Sequence, residues 1–213
     1  GGEYTLDFID YNKFSPNGDG WMIMGEVSIP ALPPDPTWNG GAGTPADGPG
    51  TWNTDAENLI WWVVAPIAWT DGSPAVFGAG AGNGAAGDVT VEGTVKPTSI
   101  TFNTTGDGGA YRLTQGTDGL IDLDGQVRNV TANVDAEIAA TIANGGLNKL
   151  GDGILTLSGA STALTEATVT AGTLTVNAGS IATLNVPAGR ADLNSPATAT
   201  TANVSNTGLL ALG

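Results

Sequence analysis

The side chains of this chain that could do chemistry are mainly carboxylates, because the sequence contains neither histidine nor cysteine. The run "LIDLDG" places Asp122 and Asp124 on one face of a strand, roughly 7 Å apart, with Asp118 nearby. Oxygen ligands of this kind suit Ca²⁺. A solvated outer strand face explains the same residues. The sequence favours the solvated face, so we expect no cofactor, and Ca²⁺ at Asp118, Asp122 and Asp124 is the alternative.

The missing residue types exclude several classes of enzyme. Without histidine and cysteine there can be no Ser-His-Asp triad, no thiolate nucleophile and no Cys/His zinc site. The run "NTD" at residues 53–55 matches one motif of pectin-cleaving β-helix hydrolases, but the histidine and the Arg-x-Lys motif of those enzymes are absent. A glycosidase needs two carboxylates across a groove, and the sequence singles out no such pair. We predict that the protein is not an enzyme.

The tryptophans allow two interpretations. All six of them lie in the first third of the chain. Trp61, Trp62 and Trp69 could form a stacking platform for glycans. They could instead pack as a cap over the first coil of a repeat structure, whose end would otherwise expose strand edges. The sequence favours the cap.

The charge of the chain limits its partners. It has 21 acidic and 6 basic residues, and its formal net charge is −15. This field repels phosphate, which argues against nucleic acid and against an anionic membrane surface. No run of about 18 apolar residues is present, so we expect no membrane span.

Composition divides the chain near residue 87. Residues 3–29 alternate as two strands around the turn "SPNGDG", which predicts a β-hairpin. Residues 30–53 are rich in Pro and Gly, and the apolar stretch 56–69 suits a short helix or a strand. We therefore predict an irregular, Trp-rich N-terminal cap over residues 1–87 and a second region over residues 88–213.

The second region contains short predicted strands at regular intervals, and each strand ends at Gly, Asn, Asp or Pro. Its strongest strands begin at Ile154, Thr173, Arg190 and Gly208, in steps of 19, 17 and 18 residues. This period, without a helix, predicts a parallel β-solenoid whose coils stack about 4.8 Å apart. Inward positions then form aliphatic ladders, and outward positions form ladders of Thr, Asn and Ser. An antiparallel β-sandwich remains the alternative fold.

The segment "GGLNKLGDGILTLSG" resembles the autotransporter-associated β-strand repeat, found in passengers of bacterial autotransporters and related surface proteins. The "TLTVNAG" coil that follows, and the upstream run "GDVTVEGTVKPTSITF", are similar to parts of such proteins. The resemblance covers roughly residues 69–180. The matching residues are Gly145, Gly146, Leu147, Lys149, Gly151, Gly153, Leu155, Thr156, Leu157, Ser158 and Gly159.

The resemblance implies a right-handed β-helix that is secreted and located at a bacterial cell surface. In that family the repeats serve as a stalk, an adhesive face or a secretion aid, and they carry no catalytic residues. We therefore expect a non-enzymatic extracellular structural protein, either a surface stalk or a self-assembling fibre subunit. The alternative is a surface adhesin that binds carbohydrate.

The two ends of the sequence predict self-association. The final run "NTGLLALG" is apolar and uncharged, so Leu209, Leu210 and Leu212 would form an unprotected sheet edge. Near the other end, Tyr4, Leu6 and Phe8 alternate as a strand that could be donated to a neighbour. Either the natural chain continues past the unprotected edge or another subunit covers it. In the second case we expect the protein to be its own partner, as a head-to-tail or strand-donated oligomer or filament.

Overall fold

The computed structural model describes residues 34–40, 46–79, 84–205 and 207–213. The chain divides into two compact units, Gly1–Leu32 and Pro33–Gly213. The predicted N-terminal hairpin lies outside the described residues, as do Tyr4, Leu6 and Phe8. The described residues contain strands and no helix, and hence no helix that could cross a membrane.

Two sheets contain all the strands of the described residues, which we number β1 to β20 in chain order. The first sheet consists of β1 Thr37–Trp38, β3 Trp61–Trp62, β4 Pro66–Ile67, β5 Pro74–Phe77, β7 Thr94–Val95, β8 Ser99–Phe102, β10 Leu120–Asp122, β11 Val127–Ala132, β13 Thr141–Leu150, β15 Ala163–Val169, β17 Ser180–Val186 and β19 Thr198–Val204. The second sheet consists of β2 Gly50–Trp52, β6 Asp88–Val91, β9 Tyr111–Gln115, β12 Ala136–Ile138, β14 Ile154–Leu157, β16 Thr173–Val176, β18 Arg190–Leu193 and β20 Leu209–Leu212.

From β13 onward the chain alternates strictly between the two sheets, and each strand pairs in parallel with the strand one coil earlier. Ile154 pairs with Thr173, Thr173 with Arg190, and Arg190 with Leu209. These partners are the strand starts that the sequence period predicts, except that the last strand begins at Leu209 and not at Gly208. Parallel pairing of this kind is consistent with a β-solenoid and contradicts the antiparallel sandwich.

Earlier coils are longer and contain an extra strand. The short strands β7 and β10 pair with each other, and β10 pairs with the first residues of β13. The second half of β13 pairs with β11, so this ten-residue strand joins two parts of the first sheet. A register shift at Gly145 and Gly146 marks the junction.

Parallel pairing also extends to the N-terminal side of residue 88. β2 pairs in parallel with β6, and β5 pairs in parallel with β8. The only antiparallel pairs among the described strands are β1 with β3 and β3 with β4. The apolar stretch 56–69, which suited a helix or a strand, therefore forms two very short strands.

The core consists of ladders in which each buried side chain lies above the one from the previous coil. In the second sheet one such ladder runs through Leu113, Ile138, Leu157, Val176 and Leu193. All five side chains are buried. Stacked apolar side chains in register remove aliphatic surface from water in every coil, which is the main source of stability of such a fold.

The corners of the coils need residues without a side chain. Gly172 has a φ of 62°, and an added Cβ there would lie 2.6 Å from the carbonyl oxygen of Gly153 in the preceding coil. Gly189, one coil later, has a φ of 73°, and its Cβ would lie 2.7 Å from the carbonyl oxygen of Gly172. Glycine is required here because the backbone adopts positive φ and the coils approach closely.

Asparagine side chains bridge successive coils on the outside. Each bridge is a side-chain amide that donates to the side-chain oxygen of an asparagine in the preceding coil, at 2.8–3.2 Å. The pairs are Asn133 with Asn103, Asn148 with Asn129, Asn194 with Asn177, and Asn203 with Asn185. The predicted outer polar ladders are therefore present.

Lys149 is the one buried cation among the described residues. It pairs with Val130 and Val169, so its aliphatic stem occupies a core ladder. Its ammonium donates to the carbonyl oxygens of Leu150, Gly151 and Ala171 at 2.7–3.2 Å, which joins two successive corners. Burial lowers the pKa of Lys149 from 10.5 to about 8.

Asp47 is a buried carboxylate that joins distant parts of the chain. Its Oδ1 accepts hydrogen bonds from the Tyr111 hydroxyl at 2.8 Å and from the Ala79 amide at 3.2 Å. Its Oδ2 accepts one from the Gly106 amide at 3.2 Å. Burial, reinforced by the Asp47 carboxylate, raises the pKa of Tyr111, which keeps the phenol protonated as a donor.

We predict that Asp47→Ala lowers the free energy of unfolding by about 2 kcal/mol, because it leaves the buried Tyr111 hydroxyl without its carboxylate acceptor and removes the hydrogen bond from the Gly106 amide. Urea unfolding followed by circular dichroism measures this change. Asp35→Ala is the control, since Asp35 is exposed, and we expect it to change stability by less than about 0.5 kcal/mol. Equal effects of the two substitutions would show that the Asp47 contacts contribute nothing.

We predict that the titration of Lys149 makes the free energy of unfolding depend on pH. Because its pKa is lower in the folded chain, the unfolded chain binds more protons between pH 8 and 10.5, and stability rises with pH in that window. Lys149→Met removes this rise. The free energy of unfolding of the original chain, relative to the variant, should therefore increase from pH 7 to pH 10, by at most about 1.4 kcal/mol per pH unit.

The control for this experiment is Lys96→Met. A hydrogen bond to Asp124 raises the pKa of Lys96, so its effect on stability changes only above pH 10.5. The curve of Lys96→Met should run parallel to that of the original chain over the measured range. A Lys149→Met curve that also runs parallel would contradict the assignment.

Candidate functional site

A groove of about 800 Å³ runs across the outer face of the second sheet; we call it the outer groove. Its lining comes from β9 and β12, from the residues that follow β12 and β14, and from the first residue of β13. The polar lining residues are Arg112, Thr114, Gln115, Glu137, Thr141, Ser158 and Ser161. Strand alternation places Arg112, Thr114 and Glu137 outward, because their neighbours Leu113 and Ile138 point into the core.

An ion pair lies at the centre of this face. Arg112 and Glu137 are register partners on β9 and β12, and the Nε of Arg112 donates to the Oε2 of Glu137 at 3.0 Å. The Oε1 of Glu137 accepts a hydrogen bond from the hydroxyl of Ser158, one coil later. Glu137 is thus held from both neighbouring coils, while the side chains of Arg112 and Glu137 remain 47% and 32% exposed.

A second recess of about 400 Å³ lies on the other side of the same ion pair. It shares Arg112 and Glu137 with the outer groove and is lined further by Asp88 and Asp135. The pair therefore separates two concavities along the strand direction.

Hydrogen bonds to the backbone hold Gln115 and the residues after β12 in place beside the outer groove. The Nε2 of Gln115 donates to the carbonyl of Gly119 at 2.7 Å, and its Oε1 accepts from the amide of Thr141 at 2.7 Å. The amides of Ala139 and Ala140 both donate to the carbonyl of Leu113, which makes a local bulge after β12. The small side chain of Ala139 lines the groove at this bulge.

The predicted calcium residues lie around a lysine. The Lys96 ammonium is 2.9 Å from Asp124 Oδ1 and 3.8 Å from Asp122 Oδ2, and its hydrogen bond lowers the pKa of Asp124. Asp118 has a φ of 50° in the preceding turn and makes no bond to either carboxylate. Within residues 34–40, 46–79, 84–205 and 207–213, no group of three carboxylates or other ligating side chains could hold a metal ion. Calcium at these residues stays a prediction.

The tryptophans predicted for glycan stacking belong to an aromatic cluster. Trp61 and Trp69 are 0% and 4% exposed, and their ring centroids lie 4.8 Å apart. Trp52 packs on both, at 5.4 and 5.0 Å. Neither Trp61 nor Trp69 therefore turns a free ring face to solvent. Trp62 is half-buried in β3, and glycan stacking on it stays a prediction.

The predicted self-association residues of the C-terminus lie on β20, the last strand of the second sheet. Leu210 and Leu212 are register partners of the buried Ala191 and Leu193, yet Leu212 is 76% exposed. β19 is likewise the last strand of the first sheet, and most of it is exposed. We call the surface made by β19 and β20 the open end.

The outer groove was not among the sequence predictions. Arg112 and Glu137 are 25 residues apart, which is longer than the steps of 17 to 19 residues in the later coils. Their adjacency follows only from the parallel register of β9 and β12.

Comparison with known proteins gives a sequence similarity to an adhesin, but no match to a family model or to a solved structure. The chain is similar to the Adhesin BmaC autotransporter of Brucella suis biovar 1 (strain 1330), with 36% identity over 141 residues. The match covers 61% of this chain, and the chain spans only 4% of the length of that relative.

Proposed function

We propose that this chain is part of a bacterial surface adhesin of the autotransporter type, in which its β-solenoid acts as a stiff, non-enzymatic spacer. The observation that carries the proposal is the unbroken parallel pairing from β5 to β19 and from β2 to β20. A structure of this kind resists bending because every coil is hydrogen-bonded to the next along both sheets. The similarity to an adhesin autotransporter supports a location at the cell surface or outside the cell.

The finer features of the proposal follow from the repeat-like residues. We propose that "GGLNKLGDGILTLSG" is an autotransporter-associated β-strand repeat and that the coils wind in a right-handed sense, as parallel crossovers nearly always do. Lys149 and Gly151 support this assignment, because their side-chain and backbone contacts explain why a repeat would contain Lys and Gly at these places. We propose the Trp52, Trp61 and Trp69 cluster as the cap of the first coil.

Single-molecule force spectroscopy tests the spacer role. We expect a chain pulled through its two termini to lengthen in repeated steps, each releasing one coil, or about 60 Å for about 18 residues. The reason is that each coil contacts only its neighbours. A single abrupt extension of the whole solenoid, or a smooth extension without steps, would contradict the proposal.

We also propose that the open end binds a second copy of the chain. The opposite end of the second sheet is covered, because the Asn58 side chain donates to the carbonyl of Thr51 at 2.7 Å and Ile60 packs against Gly50. None of the described residues covers β20 in this way, so we propose that the backbone groups and leucines of the open end accept a strand. Tyr4, Leu6 and Phe8 are the proposed donor residues of the second copy.

Sedimentation velocity tests this association. We expect the chain to form larger species as its concentration rises, and the double substitution Leu209→Asp and Leu212→Asp to leave a monomer, because it places charge on an apolar edge. Ile154→Asp is the control, since Ile154 is an exposed apolar residue of β14, away from the open end. A chain that stays monomeric at every concentration, or equal effects of both substitutions, would refute the proposal.

A further inference from the structure

The outer groove has the properties of a binding site for a hydroxyl-rich ligand. Its volume of about 800 Å³ lies in the usual range of ligand pockets, about 300–1,000 Å³. Its polar groups are held in place before any ligand arrives, since Glu137 is held by Arg112 and Ser158, and Gln115 by Gly119 and Thr141. Groups that are already ordered lose little conformational entropy on binding.

Free donors and acceptors lie next to each other at the border between the outer groove and the second recess. Arg112 makes one hydrogen bond within the described part of the chain, through Nε, so its two terminal Nη groups remain available as donors. The two oxygens of Glu137 have further lone pairs beside the bonds they already accept. A pair of neighbouring hydroxyl groups can donate to Glu137 and accept from Arg112 at the same time.

Charge selects among such ligands. Arg112 is already neutralised by Glu137, the adjacent recess contains Asp88 and Asp135, and the chain has a net charge of −15. An anionic ligand would therefore be repelled. A neutral ligand meets no such penalty.

From these observations we propose that the outer groove binds a neutral oligosaccharide through the Arg112–Glu137 pair. The inference rests on the proposed role at a bacterial surface, where glycans are available, and it assigns the carbohydrate-binding alternative to this groove instead of to the tryptophans. The recess beyond the ion pair extends the binding surface along the strand direction, which suits a chain of sugar rings.

Saturation-transfer NMR with six-residue oligomers of glucose, mannose, galactose and N-acetylglucosamine tests the proposal, with hexagalacturonate as the anionic probe. We expect at least one neutral oligomer to bind the full chain and hexagalacturonate to bind more weakly. Arg112→Met should weaken that binding at least ten-fold, and Glu137→Gln should weaken it as well.

Arg190→Met is the matched control. Arg190 is an exposed arginine on the same sheet, its Nε donates to Asp192 at 2.6 Å, and it does not line the outer groove. We expect this variant to bind like the original chain. The absence of binding by every neutral oligomer, tighter binding of hexagalacturonate, or equal binding by Arg112→Met and Arg190→Met would overturn the proposal. The stepwise extension under force does not depend on this result, so failure of either proposal can be recognised separately.

Discussion

Parallel register between successive coils is the constraint on which the rest of this structure depends. Each residue lies beside the residue one coil earlier, so a side-chain type that suits one coil is selected in the next. A slip of one residue would turn the aliphatic ladder of Leu157, Val176 and Leu193 towards solvent. The same register brings the outer asparagines together and forces glycine at the stacked corners.

Register also decides where charge is tolerated. Like charges stacked about 4.8 Å apart would repel each other, and the strands carry few charged residues. Where charges do stack, Asp88, Arg112 and Glu137 alternate in sign along three neighbouring strands. The two buried charges among the described residues, Asp47 and Lys149, are surrounded by hydrogen-bonding groups. The pairing of Arg112 with Glu137 is thus a consequence of the parallel register.

The sequence predicts the regular coils better than the irregular ones. Steps of 17 to 19 residues identify Ile154, Thr173 and Arg190 as partners, because short coils repeat the same alternation. The pairing of Arg112 with Glu137 could not be predicted in the same way, because the extra strands β7 and β10 lengthen the earlier coils and break the regular repeat. The predicted boundary at residue 87 rests on composition, and composition does not reveal that β2 already pairs with β6. Likewise, the burial of Trp61 and Trp69 depends on which rings surround them, which no local pattern contains.

Disulfide formation between engineered cysteines tests the parallel register most directly, because the chain has no cysteine of its own. Thr156 and Thr175 are register partners on β14 and β16, whose Cα atoms should lie about 4.8 Å apart, within the range of about 4.4–6.8 Å that a disulfide spans. Asp192 lies one coil beyond Thr175. The account predicts that Thr156→Cys with Thr175→Cys oxidises to a disulfide while Thr156→Cys with Asp192→Cys does not. A disulfide in the second pair and none in the first would contradict it.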